Sequence, residues 1–70
     1  MADRKLGNRL KDVRATHGLT QADLAVQVGV SRKTINTVEN GVFVPSTVLA
    51  LALAQTLNAR VEDLFYLLEE

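Results

Sequence analysis

Arg32, Lys33, Asn36 and Thr37 make up the stretch of this chain best equipped for chemistry. They offer a guanidinium, an ammonium, a carboxamide and a hydroxyl, with no thiol or carboxylate among them. Such a set binds through charge and hydrogen bonds and holds no nucleophile–base pair. Arg32 and Asn36 are four positions apart, so on a helix they share a face. Ile35 and Val38 fall on the other side and would anchor that helix to a core. A polar, cationic face on an apolar-backed helix is what a DNA major groove requires of a helix placed in it. A solvated cationic turn would read the same way.

The rest of the chain is poor in catalytic chemistry. There is no cysteine and a single histidine, which excludes a disulfide scaffold, a Cys-based zinc site, a thiol nucleophile and a His-rich metal site. No metal and no cofactor are expected. The carboxylates of Glu62-Asp63 and Glu69-Glu70 are adjacent in sequence and would diverge on a helix instead of converging in a pocket. A chain of 70 residues buries one modest core and leaves no room for a deep cleft. The expectation is one domain over residues 1–70, and not an enzyme.

Lys+Arg and Asp+Glu number 8 each, which argues against a polybasic, membrane-surface peptide. That balance hides an asymmetry. Residues 1–41 carry seven basic against four acidic side chains, a net of +3, and residues 42–70 carry one against four, a net of −3. A dipolar chain can turn its basic part toward an anionic polymer; ordinary scatter of surface charge gives the same count. No apolar run nears the roughly 18–20 residues that span a bilayer. The opening Met-Ala-Asp-Arg-Lys leads into no signal-peptide core. The expected location is cytoplasmic, on the nucleoid when bound to DNA, with no membrane partner.

The elements that must position the polar face follow from the chain's punctuation. Leu6, Leu10 and Val13 make one helical stripe and predict a helix over about residues 4–17, ended by Gly18. Thr20 and Asp23 form a near capping box before a helix over 21–28, stopped by Gly29. Ser31 caps a helix over 32–40, closed by Asn40-Gly41. Pro45-Ser46 opens a helix over 47–57, and Asn58-Ala59-Arg60 turns into one over 61–68. No strand is expected, since Val42-Phe43-Val44 is too short and follows a turn. The fold class predicted is all-α, with five helices. Residues 21–40 fit two short helices crossing steeply through a tight turn. Ala25 is small where the helices pass, Gly29 frees the turn, and Val30 plugs the gap beneath it.

The residues from Asn8-Arg-Leu-Lys, through Gly18-Leu-Thr-Gln-Ala-Asp-Leu-Ala and Gly29-Val-Ser-Arg-Lys-Thr-Ile-Asn, to Val61-Glu-Asp-Leu-Phe carry a resemblance. Over about residues 4–65 the chain resembles the XRE/Cro-type helix-turn-helix family, which includes lambdoid phage repressors and Cro proteins. The resemblance implies a compact five-helix, lambda-repressor-like domain whose second and third helices form the helix-turn-helix. It implies double-stranded operator DNA as partner, bound by two-fold dimers on near-palindromes, and a prokaryotic or phage origin.

The resemblance also assigns roles. Arg32 and Lys33 match the first exposed positions of the recognition helix, where Arg pairs bidentately with guanine O6 and N7 and Lys does so less rigidly or holds a phosphate. Asn36 would reach adenine or a backbone oxygen, and Thr37 a thymine methyl or a phosphate. Gln21 and Asn40 match phosphate contacts, although each also suits a helix end. Thr34 and Arg9 are phosphate candidates on the flank, and a solvated face suits Arg9 as well. Arg14 and Glu39 are placed together as a partly buried, structural ion pair.

Two departures stand out. Many family members carry basic residues in the loop after Asn-Gly, where this chain has Val42-Phe43-Val44, so affinity and its salt slope are expected to be modest. The fourth helix is apolar nearly all round, with Leu49, Ala50, Leu53 and Leu57 inward and Val48, Leu51, Ala52 and Gln55 opposite. With Leu67 and Leu68 this exceeds what a small monomer exposes. The expectation is a homodimer using Phe43, Val48, Arg60, Val61 and Tyr66. The function implied is a sequence-specific transcriptional regulator, most simply a repressor or autoregulator. The alternative is an antitoxin-like or sensor-coupled module whose apolar C-terminal face binds another protein or domain.

Overall fold

The first helix is shorter than its apolar spacing predicts. The computed structural model describes residues 5–69, so Arg4 and Glu70 lie outside the described residues. Helix α1 spans Leu10–Thr16, and a strand, β1, spans Leu6–Asn8 ahead of it. Asn8 decides the boundary. Its Oδ1 accepts from Leu10 N at 3.1 Å, which offers the backbone a turn in place of a helix. Gly7 adds a further cost to any helix through this point. At the other end, His17 is the C-cap of α1, and its Nδ1 lies 2.9 Å from Val13 O.

The next three helices follow the punctuation closely. Helix α2, Gln21–Val28, opens on a reciprocal box: Thr20 Oγ1 accepts from Asp23 N and Asp23 Oδ2 accepts from Thr20 N, both at 3.0 Å. Gly29 ends it with φ at 75°, a left-handed conformation that costs glycine nothing. Val30 N then donates to Ala25 O at 3.0 Å and Gly29 N to Val26 O at 3.3 Å, the paired bonds of a Schellman stop. Helix α3, Arg32–Glu39, starts on Ser31, whose Oγ accepts from Thr34 N at 3.1 Å. Asn40 caps it. Helix α4, Thr47–Thr56, starts on Ser46, whose Oγ accepts from Leu49 N at 3.1 Å.

The C-terminal end departs from the predicted helix over 61–68. Helix α5 is a single turn, Val61–Leu64, and the backbone then extends into a strand, β2, Phe65–Leu67. Strands β1 and β2 pair antiparallel, Leu6 opposite Leu67, Gly7 opposite Tyr66 and Asn8 opposite Phe65. Flanking bonds from Arg9 N to Leu64 O and from Leu68 N to Lys5 O, each 2.8 Å, extend the ladder. The fold is therefore mostly helical and not strictly all-α. Phe-Tyr-Leu suits a strand as readily as a helix, and the extended segment before α1 supplies the partner that tips the balance. Gly7 is needed here for space. A Cβ at this position would lie 2.5 Å from Tyr66 Cε2, because the tyrosine ring lies over it.

One core joins these pieces. Leu10, Leu24, Ala25, Ile35, Val38, Leu49, Leu53, Ala54, Leu57, Leu64 and Phe65 are buried in it, with Val13, Leu19, Val28 and Val30 packed at its edge. Ala25 and Val30 thus sit where the tight crossing of α2 and α3 needs them. On α4 the buried set is Leu49, Leu53 and Ala54, joined by Leu57 at its C-cap, while Ala50 is half-buried.

Candidate nucleic-acid interface

Glu39, near the C-terminal end of α3, is where the site is braced. Arg14 of α1 meets it with two bonds, Nε to Oε2 at 2.7 Å and Nη2 to Oε1 at 3.1 Å, while Nη1 donates to Leu19 O at 2.8 Å. The side chains are nearly out of solvent, 12% exposed for Arg14 and 2% for Glu39. Burial raises the Glu39 carboxyl's pKa. Hydrogen bonds from Arg14 and Gln21, with the charges of Arg14 and Lys11, outweigh burial and hold it below the usual glutamate value. The Arg14 guanidinium is pushed up by its bond to Glu39, against desolvation. The pair that the resemblance assigns is thus formed, and it ties α3 to α1.

Gln21 closes the brace from α2. Its Nε2 donates to Glu39 Oε1 at 3.0 Å and to Asn36 Oδ1 at 3.2 Å. Asn40 Nδ2 approaches the same Asn36 oxygen at 3.4 Å. Three predicted contact residues, Gln21, Asn36 and Asn40, therefore form one polar cluster. Asn8 acts from β1. Its Nδ2 donates to Val38 O at 3.0 Å and to Glu39 O at 3.5 Å, satisfying carbonyls in the last turn of α3. Sequence reasoning gave Asn8 no role; an Asn two positions before Leu10, next to Gly7, was the available signal.

The exposed face of α3 is led by Arg32 and Lys33. Both are exposed, and neither makes a hydrogen bond or ion pair among the described residues. Thr37 is half-buried and donates its hydroxyl to Thr34 O at 2.9 Å, which leaves its oxygen and methyl for a ligand. Thr34 Oγ1 lies 2.9 Å from Ser31 Oγ and belongs to the cap of α3. Arg9 lies elsewhere: its Cζ sits 4.4 Å from the centroid of the Tyr66 ring, a cation–π contact. Arg9 and Tyr66, assigned to two different surfaces from sequence, thus occupy one spot.

Part of the apolar set predicted from sequence is exposed, and other apolar residues are exposed as well. Phe43 is 47% exposed and Val48 78%, and Leu51, Val44, Leu67 and Leu68 are exposed with them. Val61 is half-buried against the core, and Arg60 is held at 3.5 Å by Asp63 in an exposed pair. Leu6, Phe43, Val44, Leu67 and Leu68 line a groove, and Val44 and Leu6 continue into a second one with Leu51 and Val61. The face is therefore built from the loop after α3, from α4 and from β2, where the sequence pointed to a longer fifth helix.

No helix among the described residues is long and apolar enough to cross a membrane. Residues 5–65 match the family described as a helix-turn-helix domain. An uncharacterized HTH-type transcriptional regulator of Methanocaldococcus jannaschii is 48% identical over 58 residues, covering 83% of this chain and 88% of its own. The restriction-modification controller protein C.AhdI of Aeromonas hydrophila superposes with a TM-score of 0.74 at 34% identity, over 79% of this chain and 83% of its own. Antitoxin PezA of Streptococcus pneumoniae is 37% identical over 59 residues, covering 84% of this chain but 37% of its own.

Proposed function

The chain belongs to the XRE/Cro-type helix-turn-helix family of DNA-binding transcriptional regulators, and on that premise we propose that it is a sequence-specific repressor or autoregulator. It places α3 in the major groove of a near-palindromic operator and binds as a homodimer. The carrying observation is the state of α3. Its leading cations, Arg32 and Lys33, are exposed and uncommitted, while its far end is locked by Arg14, Gln21 and Asn8. A fixed helix with free cationic tips is pre-organised for base edges and spends none of its charge internally. Asn36, Thr37 and Thr34 share α3 with those tips, Asn40 caps that helix, and Gln21 opens α2.

The second copy covers the apolar face of Phe43, Val48 and Leu51. Exposed leucines and valines on one side of so small a domain favour a self-complementary contact. This protein acts by binding alone and is not an enzyme. Selection from a randomised DNA pool, with sequencing of the bound fraction at two salt concentrations, tests the reading. A near-palindrome with half-sites about one helical turn apart is the expected outcome. Weak, sequence-blind binding that collapses with salt would overturn it. The weight would then move to the antitoxin-like or sensor-coupled module, a reading favoured only by the partial likeness to PezA.

A further inference from the structure

We infer that the Arg14–Glu39 pair sets the hydrogen-bond polarity of Asn36 through Gln21, so that Asn36 meets DNA only as a donor. The inference rests on the functional reading above for its ligand, and on the described geometry for its mechanism.

The atoms from Glu39 to Asn36 have one choice each. Glu39 is held ionised by Arg14, and a carboxylate only accepts. The Gln21 atom 3.0 Å from Glu39 Oε1 is therefore the amide nitrogen, not its oxygen. That nitrogen has a second proton, and it points at Asn36 from 3.2 Å. The Asn36 atom receiving it is therefore the carbonyl oxygen. Asn40 Nδ2 approaches the same oxygen at 3.4 Å. Asn36 Oδ1 is thus occupied, while Asn36 Nδ2 has no partner among the described residues.

A carboxamide usually reads adenine by accepting from N6 and donating to N7. With its oxygen committed to Gln21, Asn36 lacks the accepting half of that pair. Its two free protons suit a group that only accepts: a phosphate oxygen, guanine O6 and N7, or thymine O4. Of the two partners expected for Asn36 from sequence, adenine or a backbone oxygen, the proposal keeps the acceptor and sets adenine aside. Asn36 is the contacting group here; Gln21 and Glu39 are positioning residues. The device makes the specificity of one helix depend on an ion pair that itself stays out of the groove.

Two measurements test this, one of them without DNA. In the free protein, side-chain amide exchange by NMR should show Gln21 protons slowed about tenfold relative to Asn36 protons, as internal hydrogen bonding protects one pair only. Protection of the Asn36 amide in place of Gln21 would overturn the relay whatever the DNA result. On a selected duplex, Asn36→Ala should weaken binding about tenfold, the scale of a hydrogen bond to a strong acceptor. That loss should disappear when one phosphate is replaced by methylphosphonate, or when one guanine is replaced by 7-deazaguanine or one thymine by an analogue lacking O4. The analogue that cancels the loss identifies the source of the acceptor. Removing the adenine N6 amino group should weaken wild type and Asn36→Ala alike. A wild-type penalty several-fold larger at N6 would show Asn36 accepting from adenine and overturn the proposal, as would the absence of coupling to any acceptor. Gln21→Leu frees the oxygen, and the bases enriched opposite Asn36 should drift toward adenine even though overall affinity falls.

Discussion

Arg32 and Glu39 divide the labour of the site at the scale of single residues. Arg32 is exposed and makes no ion pair among the described residues, so its removal takes nothing from the described fold. Arg32→Ala should leave the circular dichroism and melting curve unchanged. It should relax one base position of the operator by about 1–3 kcal/mol, the worth of a bidentate contact, read by sequencing the bound pool. Glu39 is the reverse. Arg14→Ala strands its buried charge and should cost about 3 kcal/mol in denaturant melts, with DNA binding lost because α3 is no longer held. The sign of the pH effect follows from the lowered carboxyl. A carboxyl whose folded pKa lies below its unfolded value contributes fully above the unfolded value, about 4.3 for glutamate. That contribution is lost as pH falls through the folded value. Stability measured by chemical denaturation should therefore decline below about pH 4. Arg14→Met/Glu39→Met, which removes both charges, should show a shallower decline.

At the scale of elements, the small sheet is the feature with the most to reveal. It joins the segment before α1 to the segment after α5, and so fixes the two ends of the described chain against each other. Gly7 permits it, because the Tyr66 ring lies across the glycine and then stacks beneath Arg9. The chain has one tyrosine and no tryptophan, so its intrinsic emission reports this spot alone. Gly7→Ala should alter the Tyr66 emission and cost about 1 kcal/mol, the low end of overpacking, since a ring edge can shift where a backbone cannot. An unchanged spectrum would mean that the ring does not rest on Gly7. Arg9→Ala should change the same emission without altering the sheet.

At the scale of the whole molecule, the proposed dimer gives the charged and apolar surfaces separate tasks. Val48 and Leu51, three positions apart on α4, are exposed, and Leu51 lines the groove that shares Leu6 and Val44 with the one lined by Phe43, Leu67 and Leu68. Leu51→Glu should yield a folded monomer in sedimentation at concentrations where the native chain is a dimer. Operator affinity should fall by about a hundredfold or more, because two half-sites no longer bind as one ligand. A native chain that sediments as a monomer at high micromolar concentration would remove the basis for the stable dimer. The loop of Val42, Phe43 and Val44 brings no cation to the DNA. The salt slope should accordingly stay below about 4 per half-site, with each neutralised phosphate contributing about 0.9.

Local rules made much of this protein legible from its sequence. Thr20, Ser31 and Ser46 cap helices by bonds to residues three positions away, and Gly29 adopts its turn through its own lack of a Cβ. Such signals need no knowledge of distant chain, so α2, α3 and α4 and the cationic face of α3 could be read in advance. The family motifs added the pairing of Arg14 with Glu39. The ends were not legible in this way. Leu6 and Phe65 to Leu67 have spacing and composition that fit a helix as well as a strand, and only their mutual pairing decides. The same holds for Asn8, Asn36 and Tyr66. What each does depends on atoms contributed by residues fifteen to almost sixty positions away, and side-chain polarity in a network is fixed by the first member whose charge leaves no choice. Sequence determined which groups this chain can offer to DNA; the tertiary structure decided which of their atoms remain free to be offered.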